Sequence, residues 1–428
     1  MRLAVWSPRP PSPSGIADYV AESLPHLARG ADVQLVTEET EDAGADLDVY
    51  HIGNSAAHAY AYRAALRKPG VVFLHDWSLH HLVLGETVEK GDVASYLREM
   101  RRAHGEAGTF VAGQVARGLG GDMLPALFPL NDRLLEGSLA VVALTGAVAA
   151  RAARRLPGRP VLHLPHHLSL PLDPLPSRAE ARRALGLPQD ALLLTAPGLA
   201  TGAKRLDVAI RAAAVARRSH PPLRLVVAGD VAPGLPLDAW ARAAGMDDAL
   251  LVTGRLGLED FVRHLCAADV VLALRFPSHG EMSGALVRAL GVGRPALVTA
   301  GSPLAEDFPE GVVIPVDPGP HEEAEMVALL LALLGSPDLR EGVASAARDH
   351  VRRHHGLRES VERLLAFLRP VLAARDRTVA ALLAERAREG TLLAYALEEV
   401  RWAARDLGLA GAPPGVGGAL QGLLPPRP

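Results

Sequence analysis

Arg275–Gly301 reads RFPSHGEMSGALVRALGVGRPALVTAG, and the order of its elements decides the fold class. The apolar run Asp269–Leu274 leads into it as a buried strand. A polar loop carrying His279, Gly280 and Glu281 follows. A helix of small residues opens at about Met282, ends near Gly293 and passes through Arg294–Pro295 into a second apolar strand. Strand, polar loop, helix N-terminus and strand, in that order, aim free backbone N–H groups at a point beside an acidic side chain. A diphosphate would be drawn to the amides and sugar hydroxyls to the carboxylate. Taken alone, the stretch is equally an ordinary βαβ crossover with a surface glutamate.

The same alternation extends in both directions. Arg2–Trp6, Val33–Thr37, Leu47–His51, Val71–Leu74, Leu139–Leu144 and Pro160–Leu164 read as buried strands in the first half. Leu192–Ala196, Leu223–Ala228, Leu250–Thr253, Asp269–Leu274, Ala296–Thr299 and Val312–Val316 repeat the pattern in the second. Helical patterns, among them Ala17–Ala28, Ala57–Leu66 and Val93–His104, lie between them. Short continuous apolar strands separated by helices imply parallel sheets covered on both faces, and two such blocks imply two doubly wound domains. The chain has 428 residues, too many for one ordinary core, and 49% hydrophobic content supplies a second.

The join falls in Ser169–Arg178, SLPLDPLPSR, whose prolines forbid a helix. The expected division is residues 1–168, a linker 169–178, a second domain 179–355, C-terminal helices 356–410 that partly cross back to the first domain, and a Gly/Pro-rich tail 411–428. After Ser336 the pattern is almost wholly helical to about Arg405. Leu and Ala stripes with arginines in Val361–Arg388 fit a helix closing on the first domain better than a peripheral membrane contact.

Charge excludes one class of partner. With 45 basic against 48 acidic residues, there is no basic surplus for nucleic acid. Cys266 is the only cysteine, which fits a reducing, cytoplasmic setting. The N-terminal apolar run is too short for a signal peptide, and no apolar stretch reaches the ~20 residues of a membrane span. Lys68, Lys90 and Lys204 are the only lysines, so each one invites a reason.

In open parallel sheets ligands sit beyond the carboxyl ends of strands. After the first strand comes Ser12–Tyr19, SPSGIADY, where small residues around Gly15 let backbone approach a ligand; a plain strand-to-helix turn reads as well. Gly53 and Asn54 follow the third strand, with His58 one turn on. His75 and Asp76 tip the fourth strand, where a histidine can donate to a sugar hydroxyl and an aspartate can orient it or hold an acceptor. His80 and His81 read as structural or solvated. A metal set of His51, His58, His75, His80 and His81 matches no zinc spacing. In the second half, Lys204 and Arg205 stand at a helix start, where cations are disfavoured unless an anion offsets them. Gly229 and Asp230 follow the next strand, and Asp230 as a plain loop residue reads equally.

With these pieces in order, the chain resembles the family 4 glycosyltransferases of the GT-B fold over roughly residues 1–370. The resemblance rests on SGIADY, HIGNSAAH, VVFLHDWSLHHL, GLATGAKRLDVAIRA, RLVVAGD and FPSHGEMSGALVRALGVGRPALV. It implies an α/β fold of two Rossmann-like domains facing each other across a cleft, with a helical C-terminal extension. It also implies a retaining enzyme that moves a sugar from a nucleotide-diphosphate sugar to a hydroxyl acceptor, a glycan or glycolipid, without a cofactor or a catalytic metal. Cell-surface polysaccharide synthesis, at or near the inner membrane face, is a family implication only. On this resemblance His75, Asp76, Glu281 and Lys204 are the expected catalytic set. Gly15, Lys204, Arg205, Glu281, Met282, Ser283 and Gly284 would hold the donor diphosphate and sugar. Gly229, Asp230 and Glu306 would line the nucleotide pocket, and Asp18, Asn54 and His58 the acceptor side.

Two positions depart from the family pattern. Gly198 stands where an arginine often precedes the lysine, with Arg205 or Arg275 to compensate. Register on Gly293 and Pro295 places Arg288 where the family's second glutamate belongs, and Glu281 one residue out. A nucleotide-sugar epimerase of the same fold and a non-catalytic sugar-nucleotide-binding subunit are the alternatives.

Overall fold

The computed structural model describes residues 1–12, 14–386 and 399–400. Residues Met1–Arg369 form one compact unit containing two six-stranded sheets. The first sheet holds β1 (Arg2–Trp6), β2 (Asp32–Val36), β3 (Leu47–Ile52), β4 (Val71–Leu74), β5 (Ala140–Ala143) and β6 (Val161–His163), in the order β2-β1-β3-β4-β5-β6. The second holds β7 (Leu193–Pro197), β8 (Arg224–Ala228), β9 (Leu250–Val252), β10 (Val270–Ala273), β11 (Ala296–Thr299) and β12 (Ile314–Val316), in the order β12-β11-β10-β7-β8-β9. Every pairing is parallel.

The first strand of each half lies inside its sheet and the chain winds outward on both sides of it. Each sheet therefore has a topological switch point, between β1 and β3 and between β7 and β10, where loops diverge and leave a crevice. Helices cover both faces, which is why the strands read as continuous apolar runs. All of β3, β4, β5 and β11 is buried. Leu194, Leu225, Val227, Val270 and Leu272 face one layer of the second domain, and Leu193, Val271 and Val298 the other.

Buried polar groups on these strands are matched. Asp48, inside β3, accepts from Trp6 Nε1 at 2.9 Å and pairs with Lys68 at 3.0 Å. Asp269, just before β10, is held by Arg178 and Arg182 and accepts the Leu193 N–H. With Asp269 held in that cluster, the strand begins one residue later than the apolar pattern indicates.

Residues 356–369 contact the first domain. Leu168 bridges Gly356, Arg363 donates to the His163 carbonyl at 2.8 Å, and Leu365 packs on Gly30. The helices Pro337–His354 and Leu357–Arg386 account for the described part of the helical C-terminal region. From Pro370 onward the chain forms a second unit, described only as the rest of that helix and as 399–400. The helical reading of 387–398 and 401–405, the end of the Val361–Arg388 segment and the tail 411–428 lie outside the described residues. Among the described residues no helix is long and apolar enough to cross a membrane.

Candidate active site

Both switch points open into one cleft of about 1070 Å³. Gly15, Asp18, Asn54, His58, His75, Asp76 and His81 line it from the first domain. Gly198, Gly202, Arg255, Arg275, Glu281, Met282, Gly284 and Arg288 line it from the second.

Local sequence places each element. Ser14 caps the helix Gly15–Leu27, and a β-carbon on Gly15 would meet nothing within 4 Å, so the helix start is open to the cleft. Ser283 caps the helix Gly284–Gly291, accepting from Leu286 N at 3.1 Å. The helix opens two residues later than Met282 because Ser283 provides the cap. A β-carbon on Gly284 would fall 2.8 Å from His166 Nε2 and 3.0 Å from an Arg288 nitrogen, so a larger residue there must displace both side chains.

Glu281 is 8% exposed and shapes its own loop. One oxygen accepts from His279 N at 2.6 Å and Ser278 Oγ at 3.3 Å; the other pairs with Arg275 Nε at 2.8 Å. Arg275 also acts on Lys204. The Lys204 ammonium hydrogen-bonds the Pro197 carbonyl beside Gly198, and no ion pair of Lys204 is seen among the described residues. Burial and the neighbouring Arg275 push it down to about 7. Lys204 thus stands directly behind the wall formed by Gly198 and Arg275, and Arg275 joins it to Glu281. Gly198 leaves room for this: a β-carbon there would lie 3.3 Å from Lys204 Nζ.

Across the cleft, Asp76 Oδ2 accepts from Asn54 N at 2.7 Å. Burial, then the Glu281 charge, raises its carboxyl to about 7, against the Asn54 N–H and Arg275. His75 is buried, and its Nε2 lies 2.9 Å from His51 Nδ1. Burial holds it neutral, far below the usual imidazole range.

Several expected site residues are placed elsewhere. Arg205 adopts φ 54°, caps the helix Leu206–Arg217 and turns its guanidinium onto buried Glu322, with Nε–Oε2 at 3.0 Å. The anion that offsets this cation is a protein carboxylate, and Arg275 instead flanks Lys204. Gly229 packs against Gly198, 2.6 Å from its carbonyl were a β-carbon added, and does not line the cleft. Asp230 is exposed, and its carbonyl accepts the Ala200 N–H. Glu306 ends the short helix Pro303–Glu306, exposed and away from the lining. Asn54 lines the cleft, but its side-chain oxygen accepts the His81 and Leu82 N–H groups and so caps the next helix.

Sequence reasoning missed three contributors. His81 lines the cleft 5.4 Å from the His279 ring, whereas His80 is a satisfied core histidine bonded to the Phe128 carbonyl and Tyr96. Arg255 lies on the loop after β9, where TGRLG carries no chemistry-specific spacing. Glu22, on the first helix, takes the guanidinium of Arg288 at 2.5 Å and His167 Nε2 at 3.1 Å. Glu22 does not itself line the cleft; its carboxylate neutralises Arg288, the lining residue that stands where the sequence pattern has a glutamate. Among the described residues no three His, Cys, Asp or Glu side chains converge to hold a metal ion, and His51, His58, His75 and His80 commit ring nitrogens to one another or to backbone carbonyls, with His58 Nε2 left over.

Residues 209–366 match the family model described as Glycosyl transferase-like. The chain is similar to D-inositol 3-phosphate glycosyltransferases of Saccharomonospora viridis (33% identical over 46% of this chain and 47% of that protein) and Actinosynnema mirum (32%, over 52% and 53%). It spans about half the length of these curated relatives. Among solved structures it is similar to Anabaena HepE in complex with UDP and glucose (TM-score 0.58, 14% identical, 86% of this chain and 99% of that one). It is also similar to WaaG, a glycosyltransferase involved in lipopolysaccharide biosynthesis (TM-score 0.56, 18% identical, 85% and 98%). The architecture is thus the GT-B fold of glycosyltransferases.

Proposed function

We propose that the protein is a nucleotide-sugar-dependent glycosyltransferase. The observation that carries this reading is the half-buried Lys204 ammonium, without a carboxylate partner among the described residues, set behind the cleft wall that Gly198 and Arg275 form. Arg275 has Glu281 as its partner, whereas Lys204, desolvated beside that guanidinium, is held below its usual range, and an anion reaching both would favour its charged form. The N-terminus of Gly284–Gly291 adds backbone N–H groups to the same region. A diphosphate satisfies both, and the UDP in the HepE complex supports a uridine nucleotide as the first to test.

The donor sugar would then lie between Glu281, which accepts from its hydroxyls, and His75 with Asp76. The bond between the sugar's anomeric carbon and the phosphate oxygen breaks. Lys204, Arg275 and the helix N-terminus stabilise the negative charge gathering on the departing diphosphate. An acceptor hydroxyl attacks from the same face and gives its proton to the departing phosphate oxygen, which retains the anomeric configuration and requires no protein nucleophile. The diphosphate is met by side chains, so transfer is expected to persist in EDTA. The curated relatives' names make inositol 3-phosphate a reasonable acceptor to include.

Calorimetry with UDP, followed by NMR of UDP-glucose with an acceptor panel, tests the proposal. Binding and transfer lost in Lys204→Ala and transfer lost in Glu281→Ala, with both variants folded, is the expected result. Full activity in either variant removes that residue from the mechanism. Epimer formation without an acceptor would identify an epimerase, and binding without any turnover a sensor.

A further inference from the structure

β3 ends at Ile52, and Gly53 turns the chain towards the short helical turn Ala56–His58. A β-carbon on Gly53 would lie 3.2 Å from both His58 Nε2 and Asp76 Oδ2, and 2.4 Å from Ile16 Cδ1. The place of the absent side chain is taken by the end of Ile16, a flexible apolar side chain; where that end swings aside, a notch with two polar atoms on its walls opens.

His58 is 1% exposed, lines the cleft, and its Nε2 has no hydrogen-bond partner among the described residues. Its tautomer follows from the other ring nitrogen. Nδ1 lies 3.0 Å from the His51 carbonyl oxygen, which can only accept, so the proton is on Nδ1 and Nε2 presents a bare lone pair. A buried acceptor lacking a donor is destabilising, and such an atom in a cleft wall calls for a donor from outside the chain. Asp76 Oδ2 already takes the Asn54 N–H at 2.7 Å and keeps acceptor capacity towards the same point. Two acceptors facing one point repel phosphate and carboxylate; an O–H there gives its one proton to His58 Nε2, since Asp76 Oδ2 already has the Asn54 N–H. The Ile16 methyl beside them suits the C–H face of a ring.

We infer that the Gly53 notch is a subsite for one hydroxyl of a polyhydroxylated ring, a sugar or cyclitol, on the acceptor. The inference rests on the glycosyltransferase reading, which places the donor on the opposite domain. His58 is then a specificity-determining residue: it selects acceptors with a hydroxyl at the position that reaches the notch.

The test uses the full chain and two variants. His58→Asn keeps an amide donor for the His51 carbonyl and removes the atom at Nε2. Gly53→Ala plugs the notch, displacing the end of Ile16 and pressing lightly on His58 Nε2 and Asp76 Oδ2. UDP affinity is measured first by calorimetry, without any polyol. Binding of myo-inositol with UDP present is then followed by saturation-transfer NMR, and UDP-glucose affinity is compared with that of UDP. The expected result is myo-inositol binding weakened about tenfold or more in both variants, with UDP affinity within about twofold of wild type. Unchanged myo-inositol binding in both variants overturns the inference. So does the absence of polyol binding by the wild-type protein. Loss confined to the extra affinity of UDP-glucose over UDP moves the hydroxyl to the donor sugar and overturns the acceptor assignment. Failure of the wild-type protein to bind UDP is a separate result: it removes the donor reading, and the inference with it.

Discussion

Three lysines among 428 residues meet three different surroundings. Lys68 joins Asp42 and Asp48, and Lys90 joins Glu86. Among the described residues Lys204 has only a backbone carbonyl and a neighbouring arginine. Its ordinary value near 10.5 falls to about 7, so the folded protein binds fewer protons than the unfolded chain between those pH values. The sign follows: this group works against the empty fold below pH about 7, and its cost fades as pH rises towards 10.5. Lys204→Met should therefore raise the melting temperature of the empty protein at pH 7 while abolishing measurable UDP binding by calorimetry. In the wild type, UDP binding at pH 8 should take up a proton, read from the buffer dependence of the binding enthalpy; no uptake would mean the ammonium is not the diphosphate's partner. Arg205, its neighbour in sequence, gives the opposite profile. Arg205→Ala strands the buried Glu322 carboxylate and should cost about 3 kcal/mol of stability in urea titration, with UDP affinity per folded molecule unchanged. The dipeptide Lys-Arg at a helix start announces a need for anions but not which anion serves which cation. Here a ligand is proposed for the first, and a glutamate 117 positions away serves the second.

Elements were far more legible than side-chain partners. β4 and β11 fall on the apolar runs residue for residue, because a strand buried on both faces leaves no polar positions to blur its ends. Helix boundaries were less legible. Val93–His104 continues to Val115 across a break at Gly105, where φ is 58°, and a glycine inside a helical pattern does not say whether the chain stops or turns and resumes. The site was legible where residues follow a strand tip, as His75, Asp76 and Glu281 do, and illegible where a loop of ordinary composition reaches the cleft, as Arg255 does. The two cleft-facing helix starts carry the same small residue for different reasons. At Gly284 an added methyl meets His166 and Arg288, whose surroundings are buried; at Gly15 it meets nothing. Gly284→Ala should lower the melting temperature and the UDP affinity together. Gly15→Ala should leave the melting temperature within about 1 °C, so that any effect it has is confined to ligand binding. Equal destabilisation by both would mean that the glycines serve the backbone and not the cleft.

Across the whole of Met1–Arg369, the two sheets are tied by contacts no strand pattern could reveal, since each links residues more than a hundred positions apart. The Gly146 N–H donates to Asp307 at 2.9 Å, the Ser78 N–H to the His279 carbonyl at 2.9 Å, and Glu22 holds Arg288 and His167. The last is the one with charge at stake. Burial pulls the Glu22 carboxyl up, but His167 and Arg288 outweigh it and hold it below its ordinary 4.5. A lowered acid contributes stability above its ordinary value and loses it as pH falls through the folded one. Both side chains are about a tenth exposed, so removing one charge leaves the other buried and unpaired. Glu22→Gln or Arg288→Glu alone should each cost about 3 kcal/mol or more at pH 7. Arg288→Glu is the sharper case, because it restores the acidic residue of the sequence pattern yet sets it against Glu22. If the pair exists to join the domains, the double reversal Glu22→Arg with Arg288→Glu should recover most of the loss, and thermal melts of the four proteins at pH 7 measure the coupling directly. Repeating the Glu22→Gln comparison below pH 4.5 should show its cost shrinking as the wild-type carboxylate takes up its proton. An Arg288→Glu variant as stable as the wild type, with tighter UDP binding, would instead mean that this position serves the nucleotide and that Glu22 merely covers it.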